Sequence, residues 1–149
     1  MFHLQKNMKM RIVACLLIFS MILTAISPGI VVRADEATIS GNDTTTWNFR
    51  GSEEGAFKDS IEGTTGEFNG IQIDATKGKL TSRTSDTQMN AGTKLVVPVS
   101  GSAIIAVKTY PGYHDYTIDG ETATSDNFEY EYTGEEGYVT IEATKQLYL

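Results

Sequence analysis

From residue 45 onward the chain alternates apolar and polar residues with a period of two, the repeat of a half-buried strand, and carries no run at helical spacing. Over residues 45–50, Trp47 and Phe49 fall on one face and Thr46, Asn48 and Arg50 on the other. A lone tryptophan alternating with phenylalanine at the start of such a chain reads as core. Residues 51–66 hold few apolar positions, Phe57 and Ile61, between glycine breaks, and predict a loop with one short strand or turn. Strands are predicted over residues 68–74 (Ile71 and Ile73 inward), 79–83, 93–99 (Leu95, Val97 and Val99 inward) and 103–110 (Ile105 and Val107 inward). Pro98 donates no ladder hydrogen bond and belongs at an edge or a strand end. Residues 116–118 and 122–124 flank Asp119-Gly120, a pair suited to the positive φ angles of a tight hairpin. Phe128, Tyr130 and Tyr132 alternate with glutamates, and residues 137–144 set Tyr138 or Val139 on a face with Ile141 and Ala143. Short alternating strands every 8 to 12 residues or so, with Gly and Asx turns between them, predict an all-β fold: an antiparallel β-sandwich of jelly-roll type.

The head of the chain breaks this pattern. A basic segment, MFHLQKNMKMR, precedes 21 uncharged residues from Ile12 to Val32, followed by Val32-Arg33-Ala34. That order predicts a secretory signal helix over residues 1–34, cleaved after Ala34. Pro28-Gly29 and the small-residue exit favour cleavage over a retained membrane anchor. Cys15 sits at the start of the apolar run, not after it, which argues against a lipobox. A flexible lead-in over residues 35–44 and one module over residues 45–149 complete the organisation, with 115 residues after Ala34, enough for one core. Residues 145–149, KQLYL, are strand-like with no closing turn, so the last strand is expected to be incomplete.

Charge narrows the partners. Of 12 basic residues, Lys6, Lys9, Arg11 and Arg33 precede Asp35, leaving 8 against 19 acidic residues, a net charge of −11. Such a surface repels nucleic acid and anionic membrane at a distance, so no nucleic-acid partner and no stable membrane partner after signal cleavage are expected. The exported part has no cysteine and one histidine, His114, which gives no disulfide framework and argues against zinc or iron. No cofactor is predicted; a structural calcium needs only oxygen ligands and stays open, without a recognisable loop. His114 reads as a solvated loop residue, and no motif for a nucleophile, a phosphate loop or a glycosidase carboxylate pair is present.

Within this acidic chain, residues 77–108 carry Lys77, Lys79, Arg83, Lys94 and Lys108 against Asp86 alone, a local charge of +4. A guanidinium or ammonium there could meet an anionic sugar such as a uronate. In a regular strand Thr84, Asp86, Gln88 and Asn90 share one face, with Arg83 and Thr87 on the other, and offer sugar hydroxyls a row of planar donors and acceptors. Tyr110, Tyr113 and Tyr116 bracket a loop held open by Pro111-Gly112, where a ring could stack on a pyranose, though at least one of the three is expected in the core.

The pieces Trp47-Asn48-Phe49, Ile61 to Gly66, Gly70 to Lys79, Arg83, Asp86-Thr87-Gln88, Asn90, Gly92-Thr93, Pro98-Val99-Ser100-Gly101, Ile118-Asp119-Gly120 and Tyr132-Thr133-Gly134 to Tyr138-Val139 resemble an accessory module near the N-terminus of secreted bacterial pectinesterase and pectate lyase proteins. The resemblance implies a non-catalytic carbohydrate-binding sandwich that attaches to plant cell-wall polysaccharide, most naturally pectic, with catalysis carried by another domain. It implies one further strand after Gln146-Leu147-Tyr148-Leu149. On this reading the chain is a secreted extracellular monomer. Lys77, Lys79 and Arg83 meet carboxylates, Asp86, Gln88 and Asn90 bind hydroxyls, and Tyr113 or Tyr116 stacks. The alternatives are a fragment whose pectin lyase or esterase activity lies in a missing C-terminal domain, and a spacer with no ligand.

Overall fold

Period-two burial is clearest in two of the longer strands. In Lys94–Ser100 and Ala103–Lys108 each second side chain is buried and its neighbours are not. The structure is a computed structural model; it describes residues 29–34 by their backbone and residues 44–149 in full. In chain order the strands are β1 Gly29–Ala34, β2 Thr44–Asn48, β3 Ser60–Glu62, β4 Thr65–Phe68, β5 Ile71–Asp74, β6 Lys79–Ser82, β7 Thr87–Met89, β8 Lys94–Ser100, β9 Ala103–Lys108, β10 Tyr116–Ile118, β11 Glu121–Thr122, β12 Asn127–Tyr132, β13 Glu136–Ala143 and β14 Leu147–Tyr148. They form three antiparallel sheets of order β12-β9-β1-β2, β11-β10-β13-β8-β5-β4 and β14-β7-β6-β3. Among the described residues there is no helix, so the all-β antiparallel expectation holds. The expected signal helix lies outside the described residues, apart from residues 29–34, whose backbone runs as β1.

All three sheets contribute to one core. It includes Trp47, Phe49, Ile73, Leu80, Met89, Leu95, Ile105, Val139 and Ile141. Phe49, Phe57 and Phe68 form a ring cluster with centroids 5.5 to 5.9 Å apart, tilted or edge to face. The Trp47 indole N–H donates to the Asn69 carbonyl at 2.8 Å, so the tryptophan is core, as its alternation with Phe49 predicts. Among the described residues, the four buried polar or charged side chains, Asp86, Thr87, Thr93 and Thr109, are each hydrogen-bonded, as burial requires.

Two turns set the register. Asp119-Gly120 adopts φ of 48° and 87° and closes β10 on β11, as expected. Asn69-Gly70 does the same, with φ of 47° and 86°, and divides the single strand expected over residues 68–74 into the hairpin β4–β5. An Asn-Gly pair is as strong a hairpin signal as Asp-Gly, so this turn was legible. Residues 51–66 contain β3 and the start of β4. Pro98 lies within β8, where β13 pairs along the whole strand but β5 reaches only Val96, so the missing donor falls on a side with no ladder to break.

Gly78 is held by close approach. A Cβ there would lie 2.8 Å from both the Ala91 carbonyl oxygen and the Thr93 backbone nitrogen, and against the Thr93 hydroxyl that bridges to Lys79. Backbone cannot yield as a flexible side chain can, so Gly78→Ala is expected to destabilise the fold by roughly 1–3 kcal/mol. The check is the urea midpoint at constant m-value, and an unchanged midpoint would show that the turn has slack.

Candidate functional site

The β14-β7-β6-β3 sheet separates its residues cleanly by register. Leu147, Met89, Leu80 and Ile61 are cross-strand neighbours and all buried. One step along, Tyr148, Gln88, Thr81 and Ser60 are cross-strand neighbours on the opposite, outer face, with the Thr81 and Ser60 hydroxyls 3.1 Å apart. On the other side of the buried row lie Gln146, Asn90, Lys79 and Glu62. The Asn90 N–H donates to the Lys79 carbonyl at 2.8 Å, and Lys79 pairs with Glu62 at 2.9 Å. The amides are linked as well: the Gln88 side-chain N–H donates to Asn90 Oδ1 at 2.7 Å and to Gln146 Oε1 at 3.4 Å, and Gln146 donates to the Tyr148 hydroxyl. A shallow open hollow beside this row is lined by residues that include Lys77, Gly78, Lys79, Asn90, Ala91 and Gln146.

At one end of the face stands Arg83. Its Nε and Nη2 donate to the two Asp86 carboxylate oxygens at 2.7 and 2.9 Å, and its guanidinium carbon lies 4.5 Å from the centroid of the Tyr148 ring. The pairing is possible because residues 83–86 form a turn, closed by the Arg83 N–H on the Asp86 carbonyl at 2.8 Å. The expectation that Arg83 and Asp86 lie on opposite faces of one strand is therefore corrected: β7 begins only at Thr87. Asp86 is 4% exposed and accepts from Arg83 and Ser85. Its oxygens hold the arginine in place instead of facing outward to receive hydroxyls. Tyr113 meets the Tyr148 ring edge to face, with centroids 4.7 Å apart, and is itself 37% exposed.

Tyr116 does not belong here. It is fully buried, burial pushes its phenol well above the usual range, and its hydroxyl faces the Val107 carbonyl at 3.5 Å. The stacking role expected of it is therefore corrected: β10 turns it inward, and Tyr113 alone of the pair is on the surface. The loop that presents Tyr113 is pinned by Asp126, which accepts from the Gly112 N–H at 2.9 Å and meets His114 Nδ1 at 3.1 Å. The His114 contact, followed by the Gly112 bond, holds the Asp126 carboxyl below its ordinary value.

The structure brings together Lys79, Arg83, Asp86, Gln88, Asn90 and Tyr113 around one face, with Lys77 at the hollow. It adds Gln146 and Tyr148, which the sequence reading missed. The signal was present: with Leu147 and Leu149 inward, alternation sends Gln146 and Tyr148 out. The expected positive patch is partly neutralised: beyond the Arg83–Asp86 pair, already counted in its charge of +4, Lys79 pairs with Glu62 and Lys94 with Glu142. Among the described residues no group of three or more His, Cys, Asp or Glu side chains is placed to hold a metal ion. Comparison with family models, curated proteins and solved structures found no match to this chain.

The Arg83–Asp86 pair gives a pH test. Arg83, then Ser85, holds the Asp86 carboxyl below its ordinary 3.8. A depressed folded-state pKa stabilises fully above the unfolded value and fades as pH falls through the folded one. Asp86→Asn is therefore expected to lower the unfolding temperature at pH 7 and to bring the two proteins closer together as the pH falls below 3.8. An equal gap at both pH values in scanning calorimetry would show that the carboxylate charge is not what orders this turn.

Proposed function

We propose that this chain is a non-catalytic carbohydrate-binding module of β-sandwich type, exported from the cell, that attaches to plant cell-wall polysaccharide of pectic kind through the outer face of β14-β7-β6. The observation that carries the reading is the combination on that face of an exposed ring, Tyr113, packed on Tyr148, with a connected row of planar amides, Gln146, Gln88 and Asn90. A ring supplies a flat apolar surface for a pyranose, and amides offer both donors and acceptors to hydroxyl pairs. The guanidinium stacked on Tyr148 adds a fixed positive edge. Its existing bond to Asp86 means that a ligand carboxylate would share the arginine instead of neutralising it alone. The neutralised state of Arg83, Lys79 and Lys94 and the acidity of the chain favour a partly methyl-esterified polymer over a fully ionised one. The one histidine after Ala34 is committed to Asp126 in the loop below Tyr113, which gives it a positioning role and leaves the module without an evident base.

Affinity electrophoresis through gels containing polygalacturonate, methylated pectin, xylan or no polymer tests this. Retardation is expected in methylated pectin. Tyr113→Ala should weaken it by about fivefold or more, because truncating a contact-forming tyrosine commonly costs over 1 kcal/mol. Equal mobility in every gel would leave a ligand-free spacer as the better reading.

A further inference from the structure

Strand register brings opposite charges together at the hollow. Glu62 stands opposite Lys79 across β3 and β6, and their side chains pair at 2.9 Å. Lys77, two residues before Lys79, lines the same hollow, and Glu62 is the one acidic residue in its lining. Two ammonium groups and one carboxylate therefore meet there. They are held differently. Lys79 is occupied by Glu62, and of the two the carboxylate is the more exposed, 66% against 34% for the lysine side chain. Among the described residues Lys77 is in no ion pair; it acts on Asp74 through its charge alone, behind the Thr76 hydrogen bonds and Lys94.

The hollow is continuous with the amide row, because Asn90 and Gln146 belong to both. Its remaining lining includes Gly63, Gly78 and Ala91, which leave backbone or a single methyl group there. A carboxylate entering this space is drawn by Lys77, a compact charge on a flexible stem that needs no fixed geometry. Glu62 opposes it twice, by repulsion and by keeping Lys79 engaged. A methyl ester carries no net charge and is largely indifferent to both effects. Arg83 takes no part, since it lies past the opposite end of β6 and is held by Asp86.

Resting on the carbohydrate reading above, we propose that the hollow is a second subsite of the same face, taking one uronate residue beside Lys77, and that Glu62 is the specificity-determining residue that sets the balance between its ionised and esterified forms. With Glu62 charged, the subsite offers one ammonium outside an ion pair. With Glu62 made neutral it offers two, and the balance moves toward the acid.

The test titrates the 15N-labelled 149-residue chain, Glu62→Gln and Lys77→Gln with trigalacturonate and with its methyl ester, at low and at high salt. The amide resonances of Gly63, Lys77, Gly78 and Ala91 report the hollow, and those of Gln88, Tyr113 and Tyr148 report the rest of the face. Both groups are expected to move. Glu62→Gln is expected to raise the ratio of acid to ester affinity by roughly threefold or more, and Lys77→Gln to lower it by a similar factor, as suits partly exposed charges. Both changes should shrink at high salt, which a purely structural effect of either substitution would not do. A still hollow beside a moving face, or an unchanged ratio in Glu62→Gln, would overturn the subsite and leave the carbohydrate reading standing. Movement of the hollow alone, with the ratio changing as expected, would support the subsite and count against the wider binding face. No movement anywhere would overturn both.

Discussion

Strict alternation across the β14-β7-β6-β3 sheet is the constraint on which the candidate site depends. The row Leu147, Met89, Leu80 and Ile61 must face the core, because each is an apolar side chain whose exposure would cost on the order of 1.5–3 kcal/mol. Once that row is fixed, the flanking rows have no freedom. Tyr148 and Gln88 stand outward on one side of it, Gln146 and Asn90 on the other. The site's side chains are thus positioned by residues that none of them resemble, and their hydrogen bonds to one another then set rotamers within a place already chosen.

Much of this was legible in the sequence. The alternation of Leu95, Val97 and Val99, and of Ile105 and Val107, gave β8 and β9 their inward faces, and Asp119-Gly120 gave its hairpin. The misreadings share one cause, the assumption that a strand continues until the pattern breaks. Across residues 83–90 the pattern does not break, because Asp86, Gln88 and Asn90 alternate whether or not residues 83–86 turn. The turn is instead announced by the pairing of Arg83 and Asp86 three residues apart, a contact that alternation cannot represent. Tyr116 misled for a related reason. Three tyrosines at spacing three suggest a loop rim, but the third is the first residue of β10 and takes an inward place there.

Electrostatics changed most between sequence and structure. A segment charge of +4 describes the chain, whereas a ligand meets the surface, where Lys79 and Lys94 also have carboxylate partners from outside the segment within 3.5 Å. The two exposed pairs, Lys79–Glu62 and Lys94–Glu142, contribute little to stability. They do moderate the field a charged polymer would meet, which moves the expected ligand toward a less ionised polysaccharide without removing Arg83 as an orienting group.

The central claim is that the outer face of β14-β7-β6 is where ligand binds, and amide chemical-shift mapping addresses it most directly. Titration of the 15N-labelled protein with partly methylated oligogalacturonides is expected to move the resonances of Gln88, Asn90, Tyr113, Gln146 and Tyr148 together, with a single saturation curve. Shifts confined to the surface around Tyr138 and Pro98, which are exposed on the β8–β13 pair, would contradict the account and place the binding face elsewhere.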